Sequence, residues 1–447
     1  MEAKKSGDKG FYKWEVLALL WFAFFINQAD RQIYNTLLNP ISESLGLTTS
    51  EAGLIATLFG VVFAVLGPIA GVLSDRYSKK RVIVFAVLLW SVATVVSGSC
   101  VGLVSFIIFR SVATGMGEAF FAPANYATIA DYHDNRTRAR AMSIHQTSYY
   151  FGVIVSGALA GWVADKWGWR NAFYIFGSVG VIFGFYLVWR LRDKVSEEEL
   201  RVPENGRLTG AADVSTVSDG TSAAAKTQPQ APSFFESLAM IFRVRTALCL
   251  VAAFSSLIFV LQGYLTWSTW YLSEKFGLSH AQAGFSAMFY THAAAFLGVL
   301  VAGCVSDKLA VKNAGYRILL QAAGLLAASP FIVMMGLSGN MVAVYAGFAG
   351  FGFFRAFFDA NTYTVLYDVI PKRFQASAAG VMLSIGFGIG SLSPWLLGYV
   401  EPIMGLSRSI ASLSAVWIVF AAVLFAAFKL FYEADRRAAR NFDLTNK

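Results

Sequence analysis

The chain states one pattern twice. The run AFFAPAN at Ala119–Asn125, followed by Asp131, returns as AFFDAN at Ala356–Asn361, followed by Asp368. Upstream, AGVLSDR at Ala70–Arg76 returns as AGCVSDK at Ala302–Lys308 after a nearly equal interval. Self-similarity over half a chain restricts the fold to two copies of one unit. Charges at matching depths in otherwise apolar sequence point to a repeat that lies within a membrane.

Composition selects the solvent of that unit. With 56% hydrophobic and 14% charged residues in 447, and a mean hydropathy of +0.56, the chain is too apolar to keep a soluble surface wet. Apolar stretches of about 20 residues, each long enough as a helix to cross a bilayer, predict twelve spans: 14–38, 51–73, 82–101, 103–130, 141–163, 172–191, 246–271, 281–304, 318–338, 341–369, 378–400 and 408–432. The expected fold is an all-α membrane protein of twelve transmembrane helices in two pseudo-symmetric six-helix halves. The halves are residues 1–192 and 234–447, the second ending in a basic tail. Between them, 193–233 is rich in Ala, Ser, Thr, Asp and Gly and reads as a disordered linker.

Basic residues gather in the loops after even-numbered helices: Arg76, Lys79, Lys80 and Arg81, then Arg136, Arg138 and Arg140, then Lys308, Lys312 and Arg317, then Lys372 and Arg373. The opposite loops hold little beyond Lys166, Arg170, Lys275 and Arg408. This bias predicts a multi-pass protein of the cell (inner) membrane with both termini cytoplasmic. The bias and the basic tail also account for the net charge of +9, so no nucleic-acid partner is expected. The first apolar run is too long for a cleaved signal and carries Asp30. Cys100, Cys249 and Cys304 have unrelated spacings, and neither a disulfide framework nor a metal site nor any cofactor is implied.

The segment GVLSDRYSKKR at Gly71–Arg81, with its weaker copy at Gly303–Lys308, resembles the signature between helices 2 and 3 of the major facilitator superfamily. The resemblance covers essentially the whole chain. It implies alternating access around a central site, in which Gly71 permits close helix approach. Asp75, Arg76 and Arg81, with Asp307 in the second half, would act as gating residues whose contacts form when the cytoplasmic side is shut. Topology alone accounts for some of these charges. No GxxxxGK[ST] phosphate loop is present, so movement of solute would draw on a gradient. GMGEAF at Gly115–Phe120 lies inside an apolar helix with no preceding strand and reads as helix packing rather than a nucleotide turn.

Charges at mid-membrane are costly, about 2.5–3.5 kcal/mol each on insertion scales, and persist where they meet a wet cavity or one another. The candidates are Asp30 and Arg31 in helix 1, Arg110 and Glu118 in helix 4, and Arg355 and Asp359 in helix 10. Asp131 and Asp368 lie nearer the helix ends and read as structural. Glu118 and Arg355 each precede the repeated AFF, so pseudo-symmetry sets them opposite each other across the cavity, able to pair when it is empty. Arg355 and Asp359, one turn apart, offer the alternative of pairing within their helix. Three arginines balance three carboxylates. Arginine stays charged, so carboxylates must be the switches, and a proton then moves with an anion. Static ion pairs that fix helix register are the plain alternative.

Asp30–Arg31, GEAFFAPAN at Gly117–Asn125, YLTWSTWYL at Tyr264–Leu272 and WGWRNAF at Trp167–Phe173 together resemble the anion:cation symporters that import sugar acids with protons. That resemblance implies proton relay by Asp30 and Glu118 and an arginine clamp at Arg31 for a small anionic substrate. The Spinster-like lipid transporters share the helix 1 pair and the GEA motif and define an alternative, a carrier of lysolipids or other amphipathic lipids. A non-transporting sensor or scaffold is a third. Both groups place an arginine seven residues before the glutamate, where this chain has Ser111, with Arg110 one position earlier. On an ideal helix that turns Arg110 about 80° away from Glu118 and toward helix 1. Arg355 with Asp359 belongs to neither group. Arg110, Arg355, Asp359, Gln146, Tyr264 and the symmetric pair Asn125 and Asn361 complete the expected substrate site. Asn27, Gln28, His145, Tyr149 and His292 are further polar candidates, with interhelical hydrogen bonding as the competing role. The aromatics Tyr264, Trp267 and Trp270, and likewise Trp395 and Tyr399, fit lipid or a neighbouring helix as well as a sugar ring. The chain is expected to act as a monomer in the lipid bilayer, and not as an enzyme.

Overall fold

The computed structural model describes residues 2–134, 137–193 and 234–445, and among them every regular element is helical. Helices 1 to 3 are Glu2–Thr36, Thr49–Arg76 and Lys79–Ser97. Helix 4 runs through Leu103–Phe106, a π-helical segment Ile107–Ala113, and Thr114–Tyr132. Helices 5 to 9 are Arg138–Trp167, Trp169–Arg190, Arg245–Phe276, His280–Lys312 and Tyr316–Leu337. Helix 10 is Met341–Asp359 continued by Thr362–Val369. Helix 11 begins with Gln375–Gly390 and shares Ser393–Ala427 with helix 12, the two being separated by a break at Gly405 with φ 78°. Ten stretches are long and apolar enough to cross a membrane, and the last, Lys372–Thr445, holds both helix 11 and helix 12. Helix 1 completes the twelve. Asn27, Gln28, Asp30 and Arg31 dilute its hydropathy for reasons that become clear at the site.

Local chemistry sets the ends. Thr48 and Glu51 form a capping box at helix 2, and Ser78, Ser279 and Asn340 cap helices 3, 8 and 10 by accepting a backbone N–H, each worth about 1 kcal/mol. Of the linker expected over 193–233, only Asp193 falls among the described residues. It accepts from the Ser78 hydroxyl and from Lys80 N, so it belongs to the start of helix 3 rather than to a free tether. Both termini lie on one side of the twelve spans, called here the terminal side; the other is the far side.

The halves meet on the far side. Thr49 donates to Gly398 O at 2.8 Å, Trp395 N donates to Thr57 Oγ1 at 3.2 Å, and Phe63 packs on Phe387. Helices 5 and 8 cross so closely that a Cβ on Gly284 would stand 2.5 Å from Gly157 O, the small-residue contact that lets backbones touch in a membrane. At the rim of this crossing Asp165 of helix 5 caps helix 8. Its carboxylate accepts from His280 N at 3.2 Å, Ala281 N at 3.1 Å and His280 Nδ1 at 2.7 Å.

On the terminal side the halves part. A Cβ on Gly71 or on its counterpart Gly303 would meet nothing within 4 Å. The close approach expected at Gly71 is therefore absent in this conformation. The molecule is closed on the far side and open on the terminal side.

Asp165→Ala removes three hydrogen bonds that join the halves at the shut far side. An introduced cysteine at buried Ser393, in a background without the native thiols, should then label several-fold faster with an impermeant maleimide from the far side.

Candidate functional site

Helices 1 and 4 bring four charges together, and helix 3 adds the hydroxyl of Thr94. Arg31 Nε donates to Glu118 Oε2, and its guanidinium stacks over Phe63 at 4.7 Å and Phe59 at 5.3 Å. One step away, Thr94 donates to Asp30 Oδ1 at 2.5 Å. Arg110 lies over Phe59 at 4.9 Å and Tyr34 at 5.4 Å and donates from Nη2 to Arg31 O at 3.3 Å. Aromatic faces and alternating charge let this set exist away from water. It is not saturated: Asp30 Oδ2, Glu118 Oε1 and Arg110 Nε and Nη1 have no protein partner.

The offset expected between Arg110 and Glu118 is reduced by the backbone, yet the two form no ion pair among the described residues: Glu118 pairs with Arg31. Arg110 lies inside the π-helical segment Ile107–Ala113, and a π-turn takes up an extra residue. Positions eight apart across it stand nearly where positions seven apart stand on an unbroken α-helix. Arg110 thus acts electrostatically on both Asp30 and Glu118, while its hydrogen bond goes to helix 1 as expected.

The pair expected across the cavity, Glu118 with Arg355, is not formed. Each charge is neutralised within its own half: Glu118 by Arg31, and Arg355 by Asp359 at 3.6 Å, one turn along helix 10. Helix 1 brings Arg31 closer to Glu118 than helix 10 brings Arg355. Tyr149 of helix 5 meets Tyr150 edge to face, ring centroids 5.3 Å apart. Its ring lies 5.8 Å from that of His292. His292 Nδ1 donates to Met288 O at 2.9 Å, which leaves Nε2 without a partner.

Three expected site residues are instead packed between helices. Tyr264 is buried against Phe348 and Phe351, and its hydroxyl is shared between Thr291 at 2.6 Å and Ala287 O. Asn125 bonds His145 at 3.0 Å, and Asn361 accepts from Ser306 at 2.5 Å. The symmetry of the two asparagines is therefore a symmetry of helix stitching. Gln146 is exposed. Trp267 is buried, donating to Pro394 O at 3.0 Å, whereas Trp395 and Tyr399 are exposed.

At the terminal side the side chains of Asp75 and Arg76 lie outside the described residues. Arg81 is exposed, and Asp307 is 3.8 Å from Arg317. Each half pins the end of one helix to the start of another: Lys79 bonds Asp131 at 2.5 Å, and Arg317 lies 3.9 Å from Asp368, which also accepts from Tyr432. Asp131 and Asp368 are structural in this sense. Sequence reasoning missed Thr94, Phe59 and Phe63, which carry no signal apart from ordinary span residues, and Asp165 with His280, which fall just outside the expected spans 141–163 and 281–304.

Twelve helices in two halves, shut at one membrane face around buried compensated charge, define a multi-pass membrane transport protein and not an enzyme. The chain belongs to the Major Facilitator Superfamily, whose family model matches residues 20–394. It is 24% identical to a probable galactarate/D-glucarate transporter of Bacillus subtilis, over 88% of this chain and 87% of that one. A D-galactonate transporter of Escherichia coli is 25% identical over 94% and 95%. In fold it is similar to a bacterial homologue of the human lysosomal transporter Spinster in an inward-facing, unoccupied conformation. The TM-score is 0.79 at 20% identity, covering 95% of this chain and 98% of that one.

Arg110→Ala would leave Asp30 and Glu118 short of a cation in a buried site, a loss of about 3–5 kcal/mol. The melting temperature in detergent should fall by several degrees, and Asp30→Asn in the same molecule should restore part of it.

Proposed function

We propose that this protein is a secondary active transporter that carries a small organic anion, a sugar acid, together with a proton by alternating access. The observation that carries the reading is the half-buried Arg31–Glu118 pair, in which the cation suited to a substrate carboxylate is held by a group that a proton can neutralise. The names of the relatives support the substrate class. The likeness to the Spinster homologue is one of fold and does not favour a lipid substrate.

The chemistry follows from competition for one guanidinium. With Glu118 ionised, Arg31 is neutralised and holds a substrate carboxylate weakly. Protonation of Glu118 frees Arg31, and the incoming carboxylate takes the place of Glu118. Binding of anion and proton then favour each other, as linkage requires. Asp30, anchored by Thr94 and beside Arg110, is the second proton-carrying group. Phe59 and Phe63 hold Arg31 in place while its partner changes. Arg110 keeps the site from becoming anionic when both carboxylates are ionised. Asp75, Arg76, Arg81 and Asp307 are proposed to close the terminal side in the opposite conformation. We further propose that the protein works as a monomer in the cell (inner) membrane with both termini in the cytoplasm, so that the open side is the cytoplasmic one.

Glu118→Gln cannot release or take up a proton. In proteoliposomes it should abolish sugar-acid accumulation driven by a pH gradient while leaving counterflow exchange at least partly intact. Retention of pH-driven accumulation would remove Glu118 from the coupling mechanism.

A further inference from the structure

Two cations of the first half gather on one aromatic ring without a counter-charge. At the terminal end of helix 1, Lys13 Nζ lies 5.9 Å from the centre of the Trp14 ring, and the guanidinium of Arg140, on helix 5, lies 5.6 Å from the same centre. His133, at the end of helix 4, meets that ring edge to face at 5.0 Å. The carboxylates around them are engaged elsewhere: Glu15 by Arg190, Asp131 by Lys79 and Asp134 by Thr137. Among the described residues neither Lys13 nor Arg140 has an ion-pair partner. Arg140 also stands in the first turn of helix 5, which holds no acidic residue, and there the helix dipole disfavours a cation. Arg138 in the same turn is accounted for, since it donates to His133 O and Ala130 O at the end of helix 4. Arg140 is not.

These cations stand at the edge of the hydrocarbon. Arg140 is the first residue of the membrane span Arg140–Trp167, and Trp14 opens the apolar run expected for helix 1. Toward the far side, helix 1 continues the face of Trp14 with Ala18, which is exposed, and Trp21. Helix 5 continues the face of Arg140 with Thr147 and Phe151. The two faces are in register, since Trp21 Nε1 donates to Thr147 Oγ1 at 2.9 Å and the Trp21 ring lies 6.3 Å from that of Phe151. Ala18, small between two tryptophans, notches the surface. Residues two apart on a helix point in nearly opposite directions. Tyr149 turns toward His292 of helix 8, so Phe151, 57% exposed, turns outward to lipid.

We propose that the outer face shared by helices 1 and 5 binds an anionic phospholipid of the terminal-side leaflet, its phosphate held by Lys13 and Arg140 beside Trp14 and an acyl chain lying over Ala18 against Trp21 and Phe151. Basic sites between transmembrane helices recognise such headgroups by charge. A zwitterionic lipid gains less, because its own cation meets Lys13 and Arg140. The indole at this depth suits the boundary between headgroup and chain, where one edge is wet and the other apolar. Cations that only set topology would show no preference among lipids, and a free phosphate, having no chain, would make no use of Ala18. The site is independent of the solute that the protein carries.

The test is retention of radiolabelled dioleoylphosphatidylglycerol by the purified full-length protein immobilised in detergent, competed with unlabelled phosphatidylglycerol, phosphatidylcholine or inorganic phosphate. On the wild type, phosphatidylglycerol should compete about tenfold or more effectively than phosphatidylcholine, and inorganic phosphate at the same concentration should displace none of the label. Lys13→Gln with Arg140→Gln should bring the two lipids within about threefold of each other. Ala18→Phe fills the notch and keeps both charges, and it too should weaken retention several-fold. That substitution lies on the outer surface, so it gives a second reading should the charge variant fail to fold. Equal competition by phosphatidylcholine, displacement by inorganic phosphate, an unchanged lipid preference in the charge variant, or full retention in Ala18→Phe would each overturn the inference. None of these outcomes touches the proposed function, which stands or falls on transport.

Discussion

Arg31 and Glu118 constrain the rest of the molecule, because neither can be left alone at the depth where they meet. A lone buried ion costs several kcal/mol even after the surroundings relax, so the first half is assembled to keep the pair compensated. Phe59 and Phe63 supply faces for the guanidinium. Arg110 balances the additional carboxylate of Asp30, and Thr94 fixes that carboxylate in place. The π-helical segment of helix 4 belongs to the same requirement. Without the extra residue that it takes up, Arg110 would turn away from the two anions it compensates.

The closed far side and the open terminal side are two consequences of the way small residues are distributed. Where helices 5 and 8 cross, glycine faces glycine and backbone meets backbone. There is little hydrophobic advantage to be gained within lipid, so contact of this kind depends on packing and on hydrogen bonds such as those of Asp165 to the start of helix 8. Gly71 and Gly303, at the other face, stand clear of the opposing half.

The internal repeat has a limit that bears on function. The two copies agree in how helix ends are tied, by Lys79 with Asp131 and by Arg317 with Asp368, and in the use of Asn125 and Asn361 to join helices. They disagree at the residue before AFF, where Glu118 answers to Arg355. Shared positions carry the scaffold, and the position that differs carries opposite charges in the two halves.

By itself the sequence determined the membrane as solvent, twelve spans, their division into two related halves, and the six charges that the bilayer would not tolerate without a reason. These follow from local properties, hydropathy over about 20 residues and the cost of an unpaired charge, which are legible one segment at a time. Only the tertiary structure decided which charges pair. Arg31 lies 87 positions from Glu118, and the choice between Arg31 and Arg355 as its partner depends on the distance between helices, which no pattern within a helix contains. The same holds for Tyr264, Asn125 and Asn361, whose polarity announces a partner without saying whether that partner is a ligand or a neighbouring helix. The change from α to π winding around Arg110 was equally hidden, since the residue that it takes up is identified only by what the turns on either side must face.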